Sequence, residues 1–217
     1  MTEMKVRLTF TEDVLGTANS DPEIHSEFIA KKAPDAPSRE EEIEALGADE
    51  VFEKSMTVFP KLEDGTPFIW DYQIRGFFKD ACGMLRKVSS MKSSKLKAYK
   101  KEIDGLIFVK ERKIPFHDYG EITICQRPLR ASTAQGERIA LASSEQVQAG
   151  AWIEFTVMAF EEKDLDYVRE WFDYGKFRGM CQWRNSGKGR YVWDELDKNG
   201  KIIGGNNQYA EKGKELS

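Results

Sequence analysis

Hydrophobic and polar residues alternate from Met4 to Thr11 (MKVRLTFT), with Val6, Leu8 and Phe10 set against Lys5, Arg7 and Thr9, and this period of two predicts a half-buried strand. Four later segments, Leu106–Lys110, Gly120–Gln126, Arg138–Ala142 and Ala151–Phe160, are strand-like, and the last (AWIEFTVMAF) alternates most cleanly. Helical spacing follows Asp71, a helix cap, with Ile74, Phe78, Ala81 and Leu85 on one stripe; it returns over Asp164–Tyr174 with Leu165, Val168 and Phe172 inward. Gly76 inside the first helix costs about 1 kcal/mol relative to alanine, which implies a close packing or binding contact there. Asp64-Gly65 predicts a hairpin turn between Phe52–Pro60 and Pro67–Trp70, and DKNG (Asp197–Gly200) a turn from a strand at Arg190–Trp193 into Lys201–Ile203. Leu96–Ile103 is partly helical and stopped by Gly105.

Asp21-Pro22 and the capping box Ser38/Glu41 predict two short helices, so residues 21–50 form an acidic insertion after the first strand. Without it the order is strand, helix, several antiparallel strands, helix, strand. That order predicts an α+β protein: a ferredoxin-like βαββαβ (RRM-like) core with an antiparallel sheet and an extended β-hairpin. One domain over residues 1–203 is expected, with a basic insertion at 86–104 and a flexible tail at 204–217. Such a sheet presents an open face, as RNA-recognition folds do.

Composition narrows the classes. Hydrophobic residues at 40% and aromatics at 12% exclude a disordered chain. No window is apolar enough to span a bilayer, and MTEMKVRLTF lacks a signal peptide's apolar centre, so a cytoplasmic protein without a membrane partner is expected. Cys82, Cys125 and Cys181, with only His25 and His117 to assist, fit neither a disulfide framework nor a zinc knuckle; no metal or cofactor is expected.

The net charge of −4 hides a polarised chain. Arg86–Lys101 carries seven positive charges and Lys176–Arg190 five, neither with an acidic residue; the rest holds 21 basic against 37 acidic residues. The second run lies in FRGMCQWRNSGKGRYVW, Phe177–Trp193, where Gly179, Gly187 and Gly189 describe a shaped loop. A loop with exposed amides and Arg184, Lys188 and Arg190 around it suits phosphates, and Trp183 offers a face for a base. The bland alternatives are a solvated basic face and a core tryptophan.

Three stretches together resemble the RAMP superfamily of CRISPR-associated proteins: KVRLTFTEDVLGT as its first strand and turn, the step Ile74-Arg75-Gly76 before its first helix within TPFIWDYQIRGFFKDACGML, and GMCQWRNSGKGRY as its carboxy-terminal glycine-rich loop. The resemblance implies a protein like the backbone subunits that coat guide RNA in CRISPR effector complexes, binding single-stranded RNA (guide or CRISPR RNA) without sequence preference, beside other effector subunits or copies of itself. It puts Arg75 and Gly76 near the RNA backbone and lets Gly179, Gly187 and Gly189 shape the phosphate-facing loop. Lys79, Lys92, Lys95, Lys97, Lys100 and Lys101 suit a sequence-independent backbone track. Arg127 and Arg130, within QRPLRASTAQGER, and Gln182, Asn185 and Ser186 in the loop complete the expected RNA contacts. The two cationic segments are expected to meet on one side of the body. No catalytic residue is assigned. A metal-independent CRISPR-RNA-processing endoribonuclease, with His25 or His117 as base, is one alternative; a mobile-element or viral protein-interaction module, with Glu40–Glu53 mimicking nucleic acid, is another.

Overall fold

A computed structural model describes residues 1–19, 56–133 and 136–207. The two short helices expected within 21–50, His25, Gln135 and the acidic segment Glu40–Glu53 lie outside the described residues, as does the end of the expected tail.

The alternation at the start forms β1 (Thr2–Phe10), whose Met4, Val6, Leu8 and Phe10 are buried. It is followed by β2 (Val14–Leu15), β3 (Ala18–Asn19), β4 (Thr57–Val58), β5 (Phe68–Trp70), helix α1 (Asp71–Leu85), a short 3-10 turn (Lys92–Lys95) and α2 (Tyr99–Leu106). Then come β6 (Ile107–Val109), β7 (Lys113–His117), β8 (Thr123–Thr133), β9 (Gly136–Val147), β10 (Trp152–Ala159), α3 (Glu162–Arg178), a second 3-10 turn (Arg184–Ser186), β11 (Tyr191–Leu196) and β12 (Ile202–Gly205). The fold is α+β with a mainly antiparallel sheet, compatible with a ferredoxin-like fold.

The main sheet runs in the order β12-β11-β1-β10-β7-β5, and β6 pairs β10 beside β7. Its strands pair antiparallel, with Val6 opposite both Phe155 and Glu195. Because side chains alternate, one face of β1 and β10 delivers Val6, Leu8, Phe10, Ile153, Phe155 and Val157 to the core. Helices α1 and α3 cover that face: Phe78 meets Trp171 and Phe172 at ring-centroid distances of 5.4 and 5.3 Å, and Phe172 reaches Phe155 at 6.1 Å. On the opposite face Arg7 lies over the Trp152 ring at 4.5 Å, His117 stacks on that ring at 4.1 Å, and Lys5 and Arg7 pair with Glu154. A second sheet, β2-β9-β4-β3, carries the long β8–β9 hairpin, whose register runs from Thr123↔Gln146 to Thr133↔Gly136.

Several expectations are corrected. Asp71 does not cap α1, because the helix begins at Asp71 itself; Gln73 Oε1 accepts from the Trp70 amide at 2.7 Å, and the Asp71 carboxylate takes Arg112 and Arg75 instead. The Asp64-Gly65 turn forms, with the Thr66 amide donating to Asp64 Oδ1 at 2.9 Å, but its flanks part: β4 joins the second sheet and β5 pairs with β7. Strand β7 went unforeseen because Pro115 interrupts its pattern. Gly105 does not stop α2, which continues through Leu106; Gly105 is absent from the residues with positive φ, so it supplies no left-handed stop. Residues 204 and 205 belong to β12 rather than to a tail, and Asn206 bonds to Trp193 through both its amide nitrogen and its side chain.

Candidate nucleic-acid interface

The glycine loop links the carboxy-terminal end of α3 to β11. Gly179 ends α3 with φ 70° and ψ 177°, a region open to glycine alone, and a Cβ there would lie 2.5 Å from the Lys188 carbonyl oxygen. Gly189 faces Gly179 across the neck of the loop, where the Met180 amide donates to the Gly189 carbonyl at 2.9 Å; a Cβ on Gly189 would meet Met180 O at 2.1 Å. The neck is tied to the end of β1: the Gly189 amide donates to Asp13 O at 2.8 Å and the Thr11 amide to Arg190 O at 2.9 Å. Lys188 Nζ adds a hydrogen bond of 2.7 Å to Asp13 Oδ2. Burial raises the pKa of Asp13, yet hydrogen bonds from Lys188 and the Ala149 amide and the charge of Lys188 outweigh it and hold the carboxyl below the usual range.

Beyond the neck the chain takes an uncommon path. Cys181 and Trp183 carry φ of 62° and 56°, and Gly187 follows at 87°. No described atom accepts a hydrogen bond from the backbone amides of Cys181, Gln182 or Trp183, so three successive donors are left for something else. The Cys181 thiol is buried, which pushes its pKa up to about 12; all three cysteines are free.

The loop's cations fall into two groups. Arg178 Nε and Arg184 Nη1 both donate to Asp80 Oδ2 of α1, at 2.9 and 2.8 Å, and Lys188 is held by Asp13. Lys176 and Arg190 are exposed and have no carboxylate partner among the described residues; Lys176 Nζ rests over the ring of exposed Phe177 at 4.9 Å. Asn185 Oδ1 accepts from Arg178 Nη1 at 2.8 Å, while Asn185 and Ser186 face solvent.

Trp183 is 37% exposed, and one face of its ring is covered by the Arg127 guanidinium at 4.8 Å. Arg127 comes from β8 and also donates through Nη2 to Gln182 Oε1 at 3.0 Å, which locks the base of the hairpin to the loop. It is 9% exposed, and its Nε and Nη1 have no hydrogen-bond partner. The sequence put Arg127 among the RNA contacts; the structure makes it a buried brace, while Arg130 pairs in register with Ile139. Trp183 is thus neither core nor a bare platform.

Helix α1 supplies the other wall. Gln73, Gly76 and Phe77, with Thr17, Met180, Cys181 and Arg184, line a cavity of about 290 Å³ between helix and loop. Gly76 therefore borders the glycine loop, but it is exposed and no close packing contact explains it: a Cβ there would meet nothing within 4 Å. Arg75 and Lys79 sit on a different face of the helix, held by Asp71 at 3.3 Å and Asp104 at 2.6 Å.

The two basic segments meet α3 at different points along its length. Lys92 sits against the first half of α3, its Nζ 3.3 Å from Asp166 and its amide donating to Glu170, whereas the glycine loop leaves the helix at Arg178. Those anchor points are about 12–18 Å apart along the helix axis. Lys95, Lys97, Lys100 and Lys101 are exposed on this remote segment. His117 stacks on Trp152, on the face of the sheet opposite α1 and α3.

No protein-family model and no curated protein matches the sequence. Among solved structures, the chain is similar to one in a cryo-EM structure of the type III-B Cmr-beta bound to cognate target RNA, with a TM-score of 0.51 and 9% identity over 90% of this chain. It spans 59% of that chain's length. A chain of a type IV-B CRISPR complex matches with a TM-score of 0.51 and 10% identity, over 97% of this chain and 98% of that one. At these identities the likeness is one of fold, and the fold is that of proteins in CRISPR complexes, in keeping with the resemblance read from the sequence. No helix among the described residues is long and apolar enough to cross a membrane.

Proposed function

We propose that this chain is a RAMP-type subunit of a CRISPR effector complex whose glycine loop, Gly179–Arg190, holds the phosphate backbone of single-stranded RNA without regard to sequence. The observation that carries the reading is the loop itself: three successive unpartnered amides at Cys181–Trp183, bordered by Arg184 and closed at the neck by Gly179 and Gly189. Amides presented this way form a concave anion site, and Arg184 and Arg190 add charge at its rim. The fold supports the assignment. Counting β6 and β7 as two parts of one interrupted strand, the chain order β1-α1-β6/β7-β10-α3-β11 reads as a βαββαβ unit with spatial order 4-1-3-2.

Lys176 and Arg190 lack carboxylate partners among the described residues and are available to further phosphates. Lys92 stands against the first half of α3, about 12–18 Å along the helix axis from the loop, and Lys95 and Lys97 after it are exposed. The test is titration of a fluorescent single-stranded RNA across a salt series with wild type and the double variant Arg184→Ala/Arg190→Ala. Each phosphate contact on a single strand contributes about −0.7 to the slope of log affinity against log salt, so loss of two contacts flattens that slope by about 1.4. Equal affinity and equal slope for the two proteins would remove the loop from the function.

A further inference from the structure

Arg127 carries a charge that the fold does not answer. It is 9% exposed, and neither its Nε nor its Nη1 has a hydrogen-bond partner. No carboxylate pairs with it among the described residues: its Nη2 donates to the neutral amide oxygen of Gln182 at 3.0 Å, and its guanidinium lies over the Trp183 ring at 4.8 Å. The half-buried cations of the loop are treated differently. Arg178 and Arg184 share the Asp80 carboxylate, and Lys188 has Asp13. A buried guanidinium without a counter-ion is costly, because it gives up its hydration and receives no opposite charge in return.

A brace does not need that charge. The ring contact and the hydrogen bond to Gln182 join β8 to the loop, and an unbranched apolar side chain of similar length fills the same space and lies on the same ring. Replacing a buried ion by an apolar group of similar volume is often neutral or stabilising. Folding therefore leaves the charge of Arg127 unexplained.

Its neighbours explain it. Arg127 bonds to Gln182 and covers Trp183, the second and third of the three residues whose amides stand unpartnered. Those amides offer partial positive charge, and Arg127 adds a full one beside them in surroundings that water screens weakly. Orphaned donors on the backbone and an orphaned cation next to them are unlike observations, and both call for one negative charge at the same place.

We infer that the missing counter-ion is a phosphate of the bound strand, held by the amides of Cys181–Trp183, and that Arg127 serves it as a positioning residue. Its buried charge draws the phosphate into the loop, and its hold on Gln182 and Trp183 fixes the loop around that phosphate, without Arg127 itself touching the strand. The inference rests on the RNA-binding reading above and deepens it by naming the residue that sets the loop's affinity for an anion.

The experiment titrates a fluorescent uridine 12-mer across a salt series with the full chain and the variants Arg127→Met and Arg127→Lys, each also melted without RNA. Arg127→Met keeps the length and apolar stem of the brace and removes its charge; Arg127→Lys keeps the charge and gives up the planar fork. Arg127→Met is expected to melt at or above wild type and to flatten the slope of log affinity against log salt by about 0.7, the value for one phosphate on a single strand. At about 0.15 M salt that slope corresponds to roughly fourfold weaker binding. Arg127→Lys is expected to restore the wild-type slope and to bind within about twofold of wild type. Binding by Arg127→Met with wild-type affinity and slope overturns the inference and leaves the phosphate loop standing. So does a loss that Arg127→Lys shares in full, or one with an unchanged salt slope, since the residue is then a brace alone. A marked fall in the melting temperature of Arg127→Met shows that the fold itself uses the charge and overturns the inference as well. Failure of wild type to bind the strand overturns both readings.

Discussion

Two helical glycines make opposite predictions for the same substitution, Gly→Ala. In isolation each change favours the helix by about 1 kcal/mol. At Gly76 the new methyl group stands in open space, so the gain survives and Tm should rise by about 2–4 °C. Gly175, one turn before the end of α3, is different: a Cβ there would lie 2.1 Å from Tyr191 Cζ and 2.4 Å from its hydroxyl oxygen. The ring cannot yield, because Tyr191 is fully buried with Phe77 at 5.6 Å, Phe10 at 6.1 Å and Phe172 at 6.5 Å around it. Overpacking of a closed core costs about 1–3 kcal/mol, with values at the upper end where the overlap is this deep, so the net loss is about 2 kcal/mol. Tm should fall by about 4–8 °C. Thermal melting followed by circular dichroism measures both shifts, and pairing Gly175→Ala with Tyr191→Leu tests the cause, since the combined cost should be well below the sum. A Gly175→Ala protein that melts at or above wild type would refute this account of the α3–β11 contact.

Two electrostatic predictions follow from the loop's carboxylate partners. Asp13 has a folded pKa below its ordinary value, so its contribution to stability is present above the unfolded carboxylate pKa near 4 and is lost as pH falls through the lower folded value; Lys188→Met should therefore be less stable than wild type at pH 7, with the gap in urea midpoints closing in acid, and a gap independent of pH would contradict the clasp. Asp80 holds both Arg178 and Arg184, so Asp80→Asn should lower stability yet strengthen RNA binding by roughly threefold and steepen its salt dependence; weaker RNA binding in a folded variant would show that the carboxylate positions the arginines for their ligand rather than masking them.

Periodicity carried most of the fold. Strand β1, the α1 stripe, the inward residues of α3 and the alternation of β10 follow from local pattern, because each has one buried and one solvated face. What local pattern did not carry was partnership. The Asp64-Gly65 turn forms where expected, but whether its flanks pair with one another depends on β7 and β9, which lie tens of residues away. Strand β7 itself is short, broken by Pro115 and completed by its register with β5 and β10.

The site divides along the same line. Glycine spacing announces a shaped loop, since residues that must take positive φ or admit a close backbone are visible one at a time. The charge of that loop is not visible in this way. Five basic residues without an acid among them look like a phosphate track, yet the carboxylates that hold three of them stand on elements far away in the chain: Asp80 on α1 for Arg178 and Arg184, and Asp13 after β1 for Lys188. In the run on 86–101, Lys92 pairs with Asp166 of α3 and its amide donates to Glu170, while Lys95, Lys97, Lys100 and Lys101 stay exposed. Counting charges along the chain therefore overstates the free cationic surface of the loop. The features that survive folding as free recognition groups in and beside the loop are the amides of Cys181–Trp183 and the side chains of Arg190 and Lys176, and the sequence could not separate those two cations from the three that carboxylates hold.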